Sequence, residues 1–161
     1  MTHSAKAKPK PQLILSLATP ADAQEMAELG IKAHKEGTFS VFSYSVKKVT
    51  QFITELCQDP NALVLVARDS QANRQVIGYF IGYVSELFFS YDKAGNDLTF
   101  YIMPEYRGNY LAIKIIKWFT KWCQENDCAV CALSNGAGAG KRVSKFYQAM
   151  GFTLAGYEYR R

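Results

Sequence analysis

The chain has 161 residues, of which 48% are hydrophobic and 14% aromatic, and its net charge is +5. That length suits one domain with a proper core, and that composition excludes a disordered chain. The charge fits ordinary solubility, or an anionic partner such as a nucleotide, a nucleic acid or a membrane surface.

Residues 1–11 carry Lys6, Lys8 and Lys10 and read as a flexible basic tail without the apolar core of a signal peptide. Residues 12–161 then read as a single domain. No run approaches a membrane-spanning length, so the expected location is the cytoplasm and no membrane partner is expected. Leu13-Ile14-Leu15 starts a short strand. Thr19 reads as an N-cap with Pro20 at the first helical position, and Ala23, Met26, Ala27 and Ile31 follow at helical spacing. Ser45 caps a second helix with the apolar stripe Val46, Val49, Phe52, Ile53, Leu56 and Cys57, ended by Asp59-Pro60.

Three strands follow: Ala62–Asp69, Gln75–Leu87 and Leu98–Met103, with turns at Ser70–Arg74 and Asp92–Asn96. A helix is expected from about Asn109 to Asn126. Leu111, Ile115, Trp118, Phe119 and Trp122 lie on one side of it, and Lys114, Lys117 and Lys121 on the other. Ala129–Leu133 reads as a buried strand, and a glycine-rich loop at 135–140 leads to a helix around Arg142–Met150. Gly151 stops that helix, and Phe152–Tyr159 is the last strand. Hairpin-linked strands followed by a β-α-β crossover imply an α/β fold with a mixed sheet, antiparallel early and parallel around the crossover.

The strand–turn–helix at 98–112 would direct unpaired helix N-terminal amides at an anion. Its sequence, LTFYIMPEYRGNYLA, resembles motif A of the GNAT superfamily of N-acetyltransferases, Gln/Arg-x-x-Gly-x-Gly/Ala after a strand. Arg107, Ala112 and the phrase Ile102-Met103-Pro104-Glu105-Tyr106 fit that pattern. Ser144-Lys145-Phe146-Tyr147-Gln148-Ala149-Met150-Gly151-Phe152 is similar to the family phrase L-Y-x-x-x-G-F. With the strand order, the likeness covers about residues 12–161. Tyr110 stands where the first motif glycine is usual, a loosened form like that of some phage- or plasmid-encoded members. Either its side chain points away and leaves the amides intact, or it obstructs the cofactor.

The resemblance implies a GNAT fold, with a central sheet of six or seven strands flanked by about four helices. It implies acetyl-CoA as acyl donor and an amine acceptor, joined by direct attack in a ternary complex. Cofactor-binding positions would be Ile102, Met103, Arg107, Gly108, Asn109, Tyr110, Leu111 and Ala112. Asn135 would replace the Asn that often precedes the final helix, where Gly140 stands. Tyr147 would protonate the departing thiolate, since a phenol and a thiol have comparable pKa values. Asp97, Glu86 and Glu158 are carboxylates near strand ends that could deprotonate the amine. Phe39, Phe42, Tyr44, Phe89 and Tyr157 are the acceptor-site candidates, because aromatic walls hold an apolar body, a cation or a stacked base.

Two other readings stay in view. One is a nucleic-acid or aminoacyl-tRNA modifying transferase of the same fold, permitted by the charge and the lysine face but not favoured. The other is a non-catalytic binding protein of that fold. An exposed last strand offers a route to a homodimer. Asn135–Arg142 fails the phosphate-loop pattern at both ends, so nucleotide hydrolysis is not expected. Cys57, Cys123, Cys128 and Cys131 read as thiols rather than disulfides or a cluster, and His3 and His34 add no ligand spacing, so no metal is expected.

Overall fold

A computed structural model describes residues 10–136 and 140–156. Its five strands stand side by side in chain order: β1 Leu13–Leu17, β2 Ala62–Asp69, β3 Gln75–Leu87, β4 Ser90–Ile102 and β5 Cys128–Ala132. The first three pairings are antiparallel and β4–β5 is parallel. The four α-helices are α1 Ala23–Glu36, α2 Val46–Leu56, α3 Leu111–Glu125 and α4 Gly140–Ala149. The α/β class and the mixed sheet agree with the sequence reading, with five strands among the described residues rather than six or seven.

Local chemistry sets the helix starts. Thr19 and Asp22 form a reciprocal capping box around a short 3-10 turn, Pro20–Asp22, so α1 begins three residues later than the Thr19 cap alone suggests. Ser45 Oγ accepts from the Lys48 amide at 3.3 Å and starts α2. At the end of α4, Gly151 has φ +90°; its amide reaches the Gln148 carbonyl and the Phe152 amide reaches that of Tyr147. This is a Schellman closure, and it needs glycine at the left-handed position.

Alternation along the strands divides the core between two faces. Tyr79 and Tyr101 face α1, with the Tyr79 hydroxyl beside Gly30 and the Tyr101 hydroxyl on Glu36. Phe80 faces α3, its ring centroid 4.8 Å from that of Phe119. Met26, Leu65, Ile77, Leu111 and Ile115 are fully buried around them. Ile116 and Cys123 are buried on α3 while Trp118 and Trp122 are half-buried at its margins.

Two expectations need correction. Asp92–Asn96 is not a turn; it is the first half of β4, paired with β3 on one side and β5 on the other. Gly95 marks a close approach there, because a side chain at that position would collide with the Cys123 sulfur. The strand after α3 is not buried: Ala129 and Val130 of β5 are exposed. It is the outermost described strand, residues 152–156 carry no regular structure, and residues 157–159 of the expected last strand lie outside the described residues. All four cysteines are free thiols.

An ion cluster ties the first layer to the sheet. Arg68 on β2 meets Asp22 at 2.7 Å and Glu25 at 2.8 Å, and donates to the Arg74 carbonyl at 2.6 Å. Glu25 also accepts from the Val76 amide at 2.8 Å. Burial alone would raise the Asp22 carboxyl; the Thr19 amide and Arg68 outweigh it and hold it below its usual value. A depressed carboxylate contributes stability above its ordinary pKa and loses it as pH falls through the depressed value.

Arg68→Met, which leaves two half-buried carboxylates without their partner, is therefore expected to cost about 3 kcal/mol at neutral pH. Calorimetry should show Tm lower by roughly 10 °C. The gap to wild type at neutral pH should narrow at an acid pH below the depressed Asp22 value, where that carboxyl takes a proton. An equal gap at both pH values would mean that lost packing, not lost charge, is responsible.

Candidate active site

The turn between β4 and α3 is held by its own side chains. The Met103 amide donates to the Ile77 carbonyl at 2.9 Å, so that amide belongs to the sheet. A 3-10 turn, Pro104–Tyr106, follows. Tyr106 Oη donates to Asp69 Oδ2 at 2.9 Å, and Asp69 Oδ1 accepts the Gln12 amide at 3.2 Å and the Gln71 amide at 3.0 Å. Asp69 is the buried charged residue of the chain's described part, and each of these donors offsets its desolvation. Burial and the neighbouring Asp69 raise the Tyr106 phenol.

Arg107 is folded back on the fold. Its Nε donates to the Ile102 carbonyl at 2.7 Å, its Nη2 to Glu36 Oε2 at 2.7 Å, and its guanidinium lies 5.3 Å from the Tyr101 ring centroid. Tyr101 Oη donates to the other Glu36 oxygen at 2.5 Å. The Tyr101 hydroxyl and Arg107 together hold the Glu36 carboxyl below its usual value. Burial, with Glu36 beside it, pushes the Tyr101 phenol up to about 12.

Gly108 takes φ +81° with open space around it, so backbone geometry is what requires glycine there. Asn109 bridges the turn, its Nδ2 donating to the Tyr106 carbonyl at 2.5 Å and its Oδ1 accepting the Leu111 amide at 2.8 Å. The amides of Ala112 and Ile113 remain in the first helical turn without a helical acceptor. Tyr110 is the N-cap, and Lys114 Nζ sits 4.5 Å from its ring centroid. The ring is half exposed beside the first turn of α3.

Beside this turn the sheet opens. Pairing of β4 with β5 runs from Lys93 to Asn96 and ends there. The register between β3 and β4 shifts at the same point: Ile81 faces Thr99 and Gly82 faces Asp97, leaving Leu98 as the extra residue. Strand alternation sets the Met103 groups toward β3 and those of Phe100 and Ile102 toward the open side. Asp97 reaches across the start of the opening, accepting the Ser134 amide at 2.8 Å and the Ser134 hydroxyl at 3.0 Å. Burial raises the Asp97 carboxyl, and the two Ser134 bonds only partly oppose it.

Tyr147 joins the same group from α4. Its hydroxyl donates to the Ser134 carbonyl at 3.3 Å, and its ring packs against Phe146 and Phe152. Burial, and then the Asp97 charge, push its phenol well above the usual range, which keeps the proton on it at neutral pH. Asn135 donates to the Gly140 carbonyl at 3.1 Å and to Ser144 Oγ at 3.2 Å, pinning the loop to the first turn of α4.

On the α1–α2 side of the opening lies a cleft of about 230 Å³. Its walls include Gly30, His34, Phe39, Tyr44, Tyr79, Asp97, Thr99, Phe100, Tyr101 and Ser134. Tyr44 Oη donates to the Ala27 carbonyl at 2.8 Å across the bare Gly30, where a side chain would strike it. His34 Nε2 donates to the Phe42 carbonyl at 2.7 Å, and the Thr38 amide and hydroxyl reach the Gly136 carbonyl at 3.3 and 2.9 Å.

Of the residues singled out in the sequence, Asp97, Phe39 and Tyr44 line the cleft, Tyr147 joins them through the Ser134 carbonyl, Phe42 lies behind Phe39, and Arg107 lies on the Tyr101 ring. Glu86 and Phe89 do not. Glu86 is exposed opposite Lys93, four residues from Gly82, and Phe89 is exposed at the far hairpin tip against Phe88. Tyr157 and Glu158 lie outside the described residues. Sequence reasoning missed Glu36, Asp69, Tyr79, Thr99, Tyr101 and Ser134. The two-residue period from Thr99 to Tyr101 could have placed those two on one face; nothing local signals Ser134 or Asp69. Among the described residues no group of His, Cys, Asp and Glu is arranged to hold a metal ion, and no helix is long and apolar enough to cross a membrane.

A family model described as "Acetyltransferase (GNAT) family" matches residues 31–152. Among solved structures, the ribosomal-protein-alanine N-acetyltransferase of Brucella melitensis biovar Abortus 2308 superposes with TM-score 0.67 at 20% identity, covering 93% of this chain and 98% of that one. Glucosamine-6-phosphate N-acetyltransferase of Arabidopsis thaliana gives 0.73 at 13% identity, covering 93% and 97%. AAC(6')-Iy, in complex with the bisubstrate analogue CoA-S-monomethyl-acetylneamine, gives 0.71 at 14%, covering 93% and 98%. At these identities the likeness shows the fold. A search of the curated proteins finds no match.

The Tyr106–Asp69 bond makes the turn's anchorage testable. Tyr106→Phe keeps the ring and removes one of the donors to a buried carboxylate, so chemical denaturation should show a loss of about 1–2 kcal/mol. A variant as stable as wild type would show that Asp69 does not depend on Tyr106.

Proposed function

The chain belongs to the acetyltransferase (GNAT) family, and on that premise we propose that it transfers an acetyl group from acetyl-CoA to a primary amine by direct attack in a ternary complex. The observation that carries this reading is the convergence at one opening of three parts. These are the amide-rich turn before α3, the unpaired edge of β4, and the Asp97–Ser134–Tyr147 group.

The residues present suit a pyrophosphate and its arm. The start of α3 offers the Ala112 and Ile113 amides and the positive end of the helix dipole. The Lys114 contact gives the Tyr110 ring a partner on the helix itself, which favours the reading in which it leaves that approach clear. Arg107 serves here as a brace between β4, α1 and the turn rather than as a phosphate ligand. The Phe100 and Ile102 amides on the open edge of β4 can hold the pantetheine arm as a further strand would be held and can polarise the thioester carbonyl.

In the step itself the amine nitrogen bonds to the acetyl carbonyl carbon and the carbon–sulfur bond breaks. Asp97, raised by burial, receives the ammonium proton before attack. Tyr147 gives its proton to the departing sulfur, and the proton left on the nitrogen restores Tyr147. The products are an N-acetyl amine and free CoA.

Calorimetric titration with acetyl-CoA should show saturable binding, and Tyr110→Gly should leave the affinity within about threefold. A large loss of affinity in the folded variant would make the tyrosine itself a ligand; a large gain would make it an obstruction. Tyr147→Phe should lower kcat and kcat/KM together by roughly 10²–10⁴-fold while acetyl-CoA affinity holds. Wild-type kcat in that variant, with chemistry limiting the rate, removes the tyrosine from the mechanism.

A further inference from the structure

The cleft on the α1–α2 side has a definite size, charge and surface. Its volume of about 230 Å³ lies below the roughly 300–1,000 Å³ of sites for drug-sized ligands. Its enclosed part therefore holds a compact body.

Its charge is one-sided. Among the described residues that line it, Asp97 is the one carboxylate, and none is lysine or arginine. Arg107, which stacks on Tyr101, is spent on Glu36 at 2.7 Å. An acceptor bearing phosphate or carboxylate would meet Asp97 and no lysine or arginine among the described lining residues, which leaves its desolvation poorly offset. A cation finds Asp97 already there.

Much of the remaining surface is aromatic, from Phe39, Tyr44, Tyr79, Phe100 and Tyr101. Tyr44 gives its hydroxyl to the Ala27 carbonyl and Tyr101 gives its own to Glu36, so both phenols are engaged by the protein. Tyr79 sits beside Tyr101, ring centroids 6.2 Å apart, and is 5% exposed. Phe39 and His34 line the end toward α1. Such faces favour a cation and any apolar body attached to it.

From these three properties we infer that the acceptor is a compact monocationic amine with an aromatic or alkyl body, such as an arylalkylamine. Its ammonium lies at the Asp97 end, beside the strand opening, and its body lies against the tyrosine and phenylalanine rings. This inference rests on the transferase reading above and narrows its acceptor.

The test uses the full chain in two arms. The first is calorimetric titration with acetyl-CoA alone. The second measures free-thiol release at saturating acetyl-CoA with phenethylamine, glucosamine 6-phosphate or a short peptide with a free N-terminal alanine. Phenethylamine should be preferred in kcat/KM by at least about 100-fold. Its trimethylammonium analogue should compete with it, and phenylacetate should not. Phe39→Ala should raise the KM for phenethylamine about tenfold with unchanged acetyl-CoA affinity. No heat with acetyl-CoA sinks the transferase reading itself. Normal acetyl-CoA binding with a preference for the phosphosugar or the peptide, or competition by phenylacetate, overturns the acceptor assignment alone.

Discussion

The parting of β4 from β5 is the constraint on which the site depends. Parallel strands hold together through evenly spaced backbone bonds, and the pairing here stops after Asn96 and Ala132. Two features keep the sheet from zipping further. The extra residue Leu98 changes the course of β4, and Asp97 caps the next position of the partner strand by taking the Ser134 amide and hydroxyl. A carboxylate thus stands in for the next rung of the ladder. The edge left bare beyond it is the backbone that reaches the helix N-terminus at Leu111.

Anchors from distant parts of the chain fix the two sides of that opening. Asp69, at the end of β2, holds Tyr106 in the turn; Glu36, at the end of α1, holds both Arg107 and Tyr101. On the other side the order Tyr147, Gly151, Phe152 explains itself physically. Gly151 adopts the left-handed conformation that ends α4, and the Phe152 amide bonds to the carbonyl of Tyr147 itself. The Phe152 ring then packs against the Tyr147 ring at 6.2 Å between centroids. Tyrosine, glycine and phenylalanine at that spacing form one device for aiming a phenol.

Much of this was legible in the sequence because it depends on short-range chemistry. The bounds of β2 and β3, the Ser45 cap, the glycine stop and the strand–turn–helix all follow from periodicity, capping and turn residues within a few positions. What was not legible depends on partners far away in the chain. Asp92–Asn96 has the composition of a turn, and only pairing with Glu86 and Cys128 neighbours makes it strand. Ser134 has no local mark of importance, since its role comes from Asp97, 37 residues earlier. Glu36 reads as the last polar residue of a surface helix until Arg107, 71 residues on, arrives beside it. Phe89 and Glu86 share residue types with the cleft but sit at the far end of the hairpin, a distance that only the register reveals.

Gly95 and Cys123 carry a consequence for how such a sequence can change. The sulfur of Cys123 occupies the space that any side chain at 95 would need, in the paired stretch of β4 just before the strands part. The two positions therefore share one volume. A β-carbon at 95 excludes the sulfur at 123, and a smaller residue at 123 makes room for that carbon. Natural variation at either position should be conditional on the other, with alanine at 123 licensing alanine at 95. The paired stretch that leads to the opening is thus inherited as a pair of residues and not as two independent ones.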